Sequence, residues 1–241
     1  MSVSSIFNFS GDLYKKALGV NAFGVFLFLF IFLVFYVLLI PFIFGLGYEE
    51  LARWGSTSIE SLMYTPSVQI RNALAMVAVN CVTTPLVAGF YKNCEVVSKG
   101  EGATMGNLFI YYNSTYTVRL LVYALISTVI TSVVSLPFQF FDIPLVGSLL
   151  SMFVNILLSF AIPIIIFENK ELAEAFKESV ERVVANFGTI LGAFILGGII
   201  GSLGIIACGI GVIFTLPFAY ATIYAAYALQ KPNGNEKVKF Y

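Results

Sequence analysis

Apolar residues in this chain run in long blocks, and charged residues gather at the joints between them. The block from Phe187 to Gln230 covers 44 residues without a charged side chain, enough at about 20 residues per crossing for two passages of a bilayer. With the shorter blocks, the pattern predicts six transmembrane helices, over 21–44, 72–91, 119–140, 145–167, 187–204 and 209–230. The long block breaks best near 202–211, where Gly201, Gly204, Gly209 and Gly211 supply the backbone freedom of a tight turn. One unbroken helix of that length would be roughly twice as long as the bilayer core is thick. The block opening at Asn21 is too long for a signal-peptide core and is followed by Pro41, Phe42, Phe44 and Gly45 instead of a small-residue cleavage site, so it reads as a retained first span.

A mixed segment precedes each pair of spans: Gly11–Val20, Gly106–Val118 and Lys170–Asn186. In the third, Leu172, Phe176, Val180, Val183 and Phe187 recur at helical spacing, opposite Glu171, Glu174, Glu178 and Glu181, and Glu178 can pair with Arg182 one turn on. The expected fold is therefore all-α: a polytopic membrane protein whose six transmembrane helices form three hairpins, each preceded by a cytoplasmic interfacial helix or elbow. No connecting loop is long enough to bury a core of its own, so residues 1–241 read as a single transmembrane domain.

Composition agrees, with 59% hydrophobic and 11% charged residues against roughly 25% charged in soluble domains. Thirteen Lys and Arg balance thirteen Asp and Glu, leaving no basic excess for nucleic acid. Their placement is uneven. Eleven cations (Lys15, Lys16, Lys92, Lys99, Arg119, Lys170, Lys177, Arg182, Lys231, Lys237 and Lys239) fall on one side of the predicted spans, and only Arg53 and Arg71 on the other. Both termini are then expected in the cytoplasm. The 27-residue loop from Gly45 to Arg71 becomes the one sizeable outer surface, with Leu51, Trp54, Ile59, Leu62 and Met63 placed to lie along the interface.

The chemistry is mostly exclusion. The chain has no histidine, which removes histidine-based triads and the common zinc and non-haem iron ligand sets. No acidic residue falls within a predicted span, so paired intramembrane carboxylates have no candidates. Cys81, Cys94 and Cys208 show no metal spacing; Cys94 reads as an accessible juxtamembrane thiol. No cofactor and no enzyme activity is expected.

Two sets of residues remain as candidate sites. Gly188, Gly192, Gly197 and Gly201 form a small-residue stripe, a helix-packing face whose partner helix is either internal or on another subunit. Asn80, Thr84, Thr131 and Asn155 are the candidate polar path; Thr128, Thr131 and Ser135 also share one helical face. Interhelical hydrogen bonding and a lining for a polar substrate both fit such residues. Prolines at 85, 163 and 217 kink the second, fourth and sixth spans, with Thr83, Ser159 and Thr215 nearby to satisfy freed carbonyls. Tyr220, Tyr224 and Tyr227 form a ridge suited to a cytoplasmic aromatic belt.

The stretch from Ala175 to Leu229, with its lead-in bearing Ser179 and Asn186, its turn at Cys208, Gly209 and Gly211, and its last span carrying Pro217, resembles the C-terminal hairpin of uncharacterised bacterial six-helix integral membrane proteins. These are similar in turn to the membrane domain of some glycerophosphodiester phosphodiesterases; Thr84–Lys92 fits their second span. The resemblance implies a multi-pass protein of the bacterial cytoplasmic (inner) membrane and a fold, not an activity. The expected function is a non-catalytic subunit, scaffold or assembly factor, with the lipid bilayer and another membrane protein subunit as partners; the alternative is a channel or transporter for a small or lipid-like molecule. The Pro-x-acid-x-x-base motif of mitochondrial carriers is absent.

Overall fold

The computed structural model describes residues 1–53, 62–63, 65–141, 143–206 and 211–230. Among these the protein is all-helical, with no strand. Its helices are α1 (Val3–Phe44), α2 (Tyr48–Arg53), α3 (Pro66–Ser98), α4 (Met105–Phe109) running into a 3-10 turn at Ile110–Tyr112, α5 (Thr117–Phe140), α6 (Pro144–Leu157), α7 (Ala161–Glu168), α8 (Leu172–Ala185), α9 (Phe187–Ile206) and α10 (Val212–Ala228). Five stretches are long and apolar enough to cross a membrane: α1, α3, α5, the α6–α7 pair and α9 as far as Gly204. α10 is equally apolar but has 17 residues. Large apolar side chains stand exposed along them, Phe141 at 75%, Leu145 at 71% and Leu38 at 65%, a surface that needs lipid as its solvent. This is a multi-pass membrane protein. Trp54, Ile59, Asp142, Cys208, Gly209, Lys231, Lys237, Lys239 and the side chain of Leu51 lie outside the described residues.

By packing, the chain falls into two compact units: Met1–Phe28, Pro85–Leu120 and Ile156–Tyr241 form the first, and Leu29–Thr84 with Leu121–Asn155 the second.

In the first unit, the expected elbow at Gly11–Val20 is absent. α1 runs unbroken for 42 residues, about 63 Å at 1.5 Å per residue. Its early turns carry Ile6, Phe9, Ser10, Leu13 and Ala17, all buried, at the spacing of one helical face. Asp12, Lys15 and Lys16 are exposed. Those charges imitate a joint in the sequence, but a helix carries them without breaking. At the second expected elbow stand α4 and its 3-10 turn: Thr104 caps α4 by accepting the Asn107 N–H at 3.3 Å, and Leu108 and Tyr111 are buried behind it. Asn93, fully buried, ties this region to α1. Its amide donates to Asn21 Oδ1 at 3.0 Å, and its Oδ1 accepts from Thr104 N at 3.1 Å and Asn107 Nδ2 at 3.0 Å.

The predicted fourth span is broken into α6 and α7. Pro163 removes one N–H from the ladder, and the turn leaves a carbonyl and an amide facing inward. Ser179, fully buried on α8, serves both: its Oγ donates to Leu157 O at 2.7 Å and accepts from Phe160 N at 3.1 Å. The buried residues of α8 are Ala175, Ser179 and Val183; Val183 belongs to the expected stripe, while Leu172, Phe176, Val180 and Phe187 are half-buried, so the inward face is rotated part-way from that stripe toward the break that Ser179 closes. The Glu178–Arg182 pair forms at 2.5 Å, and Arg182 also grips Glu168 through two parallel 2.8 Å bonds. Tyr227 donates to Glu168 Oε1 at 2.8 Å, and Lys170 pairs with Glu178. Burial works against the Glu178 carboxylate, but the hydrogen bonds from Lys170 and Arg182 outweigh it and hold that carboxyl below the usual glutamate range.

Two further expectations change in this unit. Tyr224 and Tyr227 are 5% and 2% exposed and Tyr220 stacks on Phe90 at 4.7 Å: the ridge packs in the core, not in an interfacial belt. Cys94 is fully buried, not an accessible thiol.

The second unit holds a small apolar cluster of Ile43, Val68 and Ala75, with Tyr36, Leu39 and Phe44 packed on it. α1 supplies Ile43 to it and ends just before Gly45, whose φ of +70° suits glycine. Val79 and Ala124 are also buried in this unit, beside the polar Thr83, Thr84 and Thr128.

Candidate functional site

Three helix faces of the second unit converge on a groove of about 570 Å³. α3 contributes Gln69, Asn72, Ala73, Met76 and Asn80; α5 contributes Thr128, Thr131, Ser132, Ser135, Leu136 and Gln139; α6 contributes Ser148, Ser151, Met152 and Asn155. On each helix these positions recur every three or four residues, which puts them on one side. Eleven of the fifteen lining residues carry an amide or a hydroxyl, and none is charged. Met76, Leu136, Met152 and Ala73 supply the apolar remainder. Gly147, on α6, lets that helix approach α5 closely: a β-carbon there would meet Ser135 O at 2.8 Å.

The polar groups are spent mainly within their own helices. Thr128 donates to Ala124 O at 2.7 Å, Thr131 to Ser127 O at 2.9 Å, Ser135 to Ser132 O at 3.3 Å, Ser148 to Pro144 O at 3.0 Å and the Asn155 amide to Ser151 O at 3.0 Å. Between helices, Asn80 Nδ2 donates to Thr128 Oγ1 at 2.9 Å and Ser151 Oγ to Thr131 O at 3.1 Å. Gln69 also reaches outside α3, its amide donating to Met63 O. If interhelical adhesion were the reason for eleven polar side chains, cross-helix bonds would dominate the set.

Of the candidate polar path, Asn80, Thr131 and Asn155 meet in this groove. Thr84, one turn beyond Asn80, lies outside the lining and is 7% exposed. Sequence reasoning missed Gln69, Asn72, Gln139, Ser148 and Ser151 as site residues. A signal existed for two of them: Ser148, Ser151 and Asn155 repeat the spacing of three and four that marks Thr128, Thr131 and Ser135.

Comparison with known proteins is silent. No family model, curated protein or solved structure matches the chain.

The small-residue stripe is used inside the first unit. Gly197 is buried, and a β-carbon on it would sit 3.1 Å from the Thr222 hydroxyl of α10; one on Gly192 would sit 3.2 Å from Val3 of α1, and one on Gly201 would sit 3.8 Å from Ala219. Gly188 alone of the four faces open space. Nothing here resembles a metal centre: among the described residues no three His, Cys, Asp or Glu side chains cluster in a way that could hold an ion.

Proposed function

We propose that the protein is a non-catalytic multi-pass protein of the bacterial cytoplasmic membrane that receives a small uncharged polar molecule in the groove between α3, α5 and α6, as the binding vestibule of a channel or transporter. The observation that carries this reading is the convergence of eleven uncharged polar side chains, few of them bonded across helices, in a protein whose solvent is lipid. Polar groups at membrane depth are costly unless they face protein or a water-filled cavity. An uncharged lining suits a neutral guest, because an ion would enter without a counter-charge. With both termini cytoplasmic, the groove lies nearer the outer ends of its three spans, on the side of the Gly45–Arg71 loop.

The subunit or scaffold role loses part of its support, since three of the four stripe glycines are packed against neighbours within the chain. The test is solute flux: proteoliposomes bearing the pure protein should admit small neutral polar solutes faster than empty liposomes, and Asn155→Leu should slow that flux while the protein stays folded. Equal rates with and without protein, together with a stoichiometric co-purifying membrane subunit, would overturn the transport reading in favour of the scaffold.

A further inference from the structure

The hydrogen-bonding character of the groove is lopsided. Every lining hydroxyl that makes a bond as donor gives its proton to a backbone carbonyl: Thr128, Thr131, Ser135, Ser148 and Ser151 all do so. A hydroxyl so engaged has only lone pairs left for a guest. Asn80 spends one amide N–H on Thr128 Oγ1, Asn155 one on Ser151 O and Gln69 one on Met63 O, which leaves each of them a single N–H. Most telling are Asn72 Oδ1 and Gln139 Oε1, two fully buried side-chain oxygens of the lining that have no hydrogen-bond partner. An unsatisfied buried acceptor costs about 1–3 kcal/mol, so two of them in one groove call for a reason beyond packing.

We infer that the groove takes a small neutral ligand whose hydrogen-bond donors outnumber its acceptors, an amide- or urea-type molecule, with its N–H groups directed at Asn72 Oδ1, Gln139 Oε1 and the Ser and Thr oxygens. This rests on the proposed reading of the groove as a neutral-solute site. A polyol fits less well, because each hydroxyl brings an acceptor along with its donor into a lining already rich in acceptors. An ammonium-type ion offers donors, but no carboxylate lines the groove to balance its charge.

The experiment compares urea, methylurea, 1,1-dimethylurea, glycerol and ammonium as probes of flux into proteoliposomes, on the full chain and on Asn72→Leu and Gln139→Met. Uptake should fall about tenfold for each N–H replaced by N–CH₃, the equivalent of one lost hydrogen bond, with glycerol below urea. The two variants should lose urea uptake and yet unfold at a higher temperature than the parent, because each removes a buried oxygen that nothing in the protein satisfies. A purely structural role predicts the reverse, a lower unfolding temperature. If glycerol or 1,1-dimethylurea crosses as fast as urea, the donor preference is wrong while the neutral-solute site stands. If ammonium alone crosses, or no probe does, the underlying reading fails as well.

Discussion

Ser179 is the residue on which the local design depends most visibly. A helix break inside an apolar span exposes backbone groups that lipid cannot satisfy, and here one hydroxyl answers both Leu157 O and Phe160 N. Its neighbours Phe160, Ala161 and Ile164 are fully buried, so water is poorly placed to substitute. Ser179→Ala should therefore lower stability by about 1–3 kcal/mol, read as a drop in the thermal unfolding midpoint of the detergent-purified protein; an unchanged midpoint contradicts the role. Cys94 offers a second check at this scale. With its side chain fully buried, it should resist a maleimide in the folded protein and react after denaturation, whereas prompt labelling under native conditions would contradict its placement.

Among the elements, α7 and α8 are held together by charge as well as by Ser179. Arg182, 11% exposed, satisfies Glu168 and Glu178 at once. Removing it leaves Glu168 to Tyr227 and Glu178 to Lys170, and Arg182→Leu should cost about 1.5–3 kcal/mol, the range for lost hydrogen bonds to charged groups. One part of the pH dependence follows from Glu178, whose carboxyl is held below its ordinary value, as Lys92 and Lys99 hold that of Glu95. A group depressed in the folded state adds stability that is full above its unfolded value, about 4.3, and is lost as pH falls through the lower folded value. The unfolding midpoint should decline with acidification below about pH 4 and do so less steeply in Glu178→Gln; parallel declines in both proteins would assign the acid sensitivity elsewhere. The Glu178–Arg182 pair could be read from sequence because it is local to one helix, while Glu168 and Tyr227, distant in the chain, could not. The same division explains the groove. Thr128, Thr131 and Ser135 declare a polar face by spacing alone, but Asn72 and Gln139 sit at the ends of their predicted spans, where a polar residue reads as a boundary. The Gly11–Val20 segment misleads for a related reason: glycines and charges there mark a joint in composition, while Ile6, Phe9, Leu13 and Ala17 continue a buried helical face through it.

For the molecule as a whole, apolar blocks settle the solvent and charge placement proposes the orientation. Long helices with large hydrophobics exposed, Val118 at 69%, Val133 at 64% and Leu33 at 60%, are stable only with acyl chains against them. Which way such helices point is a separate matter, decided during insertion by the cations beside the spans. Eleven Lys and Arg against two is a strong bias, yet three of the thirteen, Lys170, Lys177 and Arg182, lie on the segment between α7 and α9, and a fourth, Arg119 on α5, is ion-paired to Glu171 of that segment at 2.7 Å. Acidic partners contribute little to the orienting effect of cations, so their pairing leaves the inference intact. The chain carries its own reporter. Asn113, exposed after the 3-10 turn, lies in an Asn-Ser-Thr acceptor sequence that glycosylation machinery modifies only in the lumen. Translated into microsomes, the native chain should stay unmodified at Asn113, whereas an acceptor on a flexible insert after Gly47 should be glycosylated. Modification at Asn113 with none at the insert would invert the protein and turn the groove between α3, α5 and α6 toward the cytoplasm, making it a site for export or for a cytoplasmic ligand.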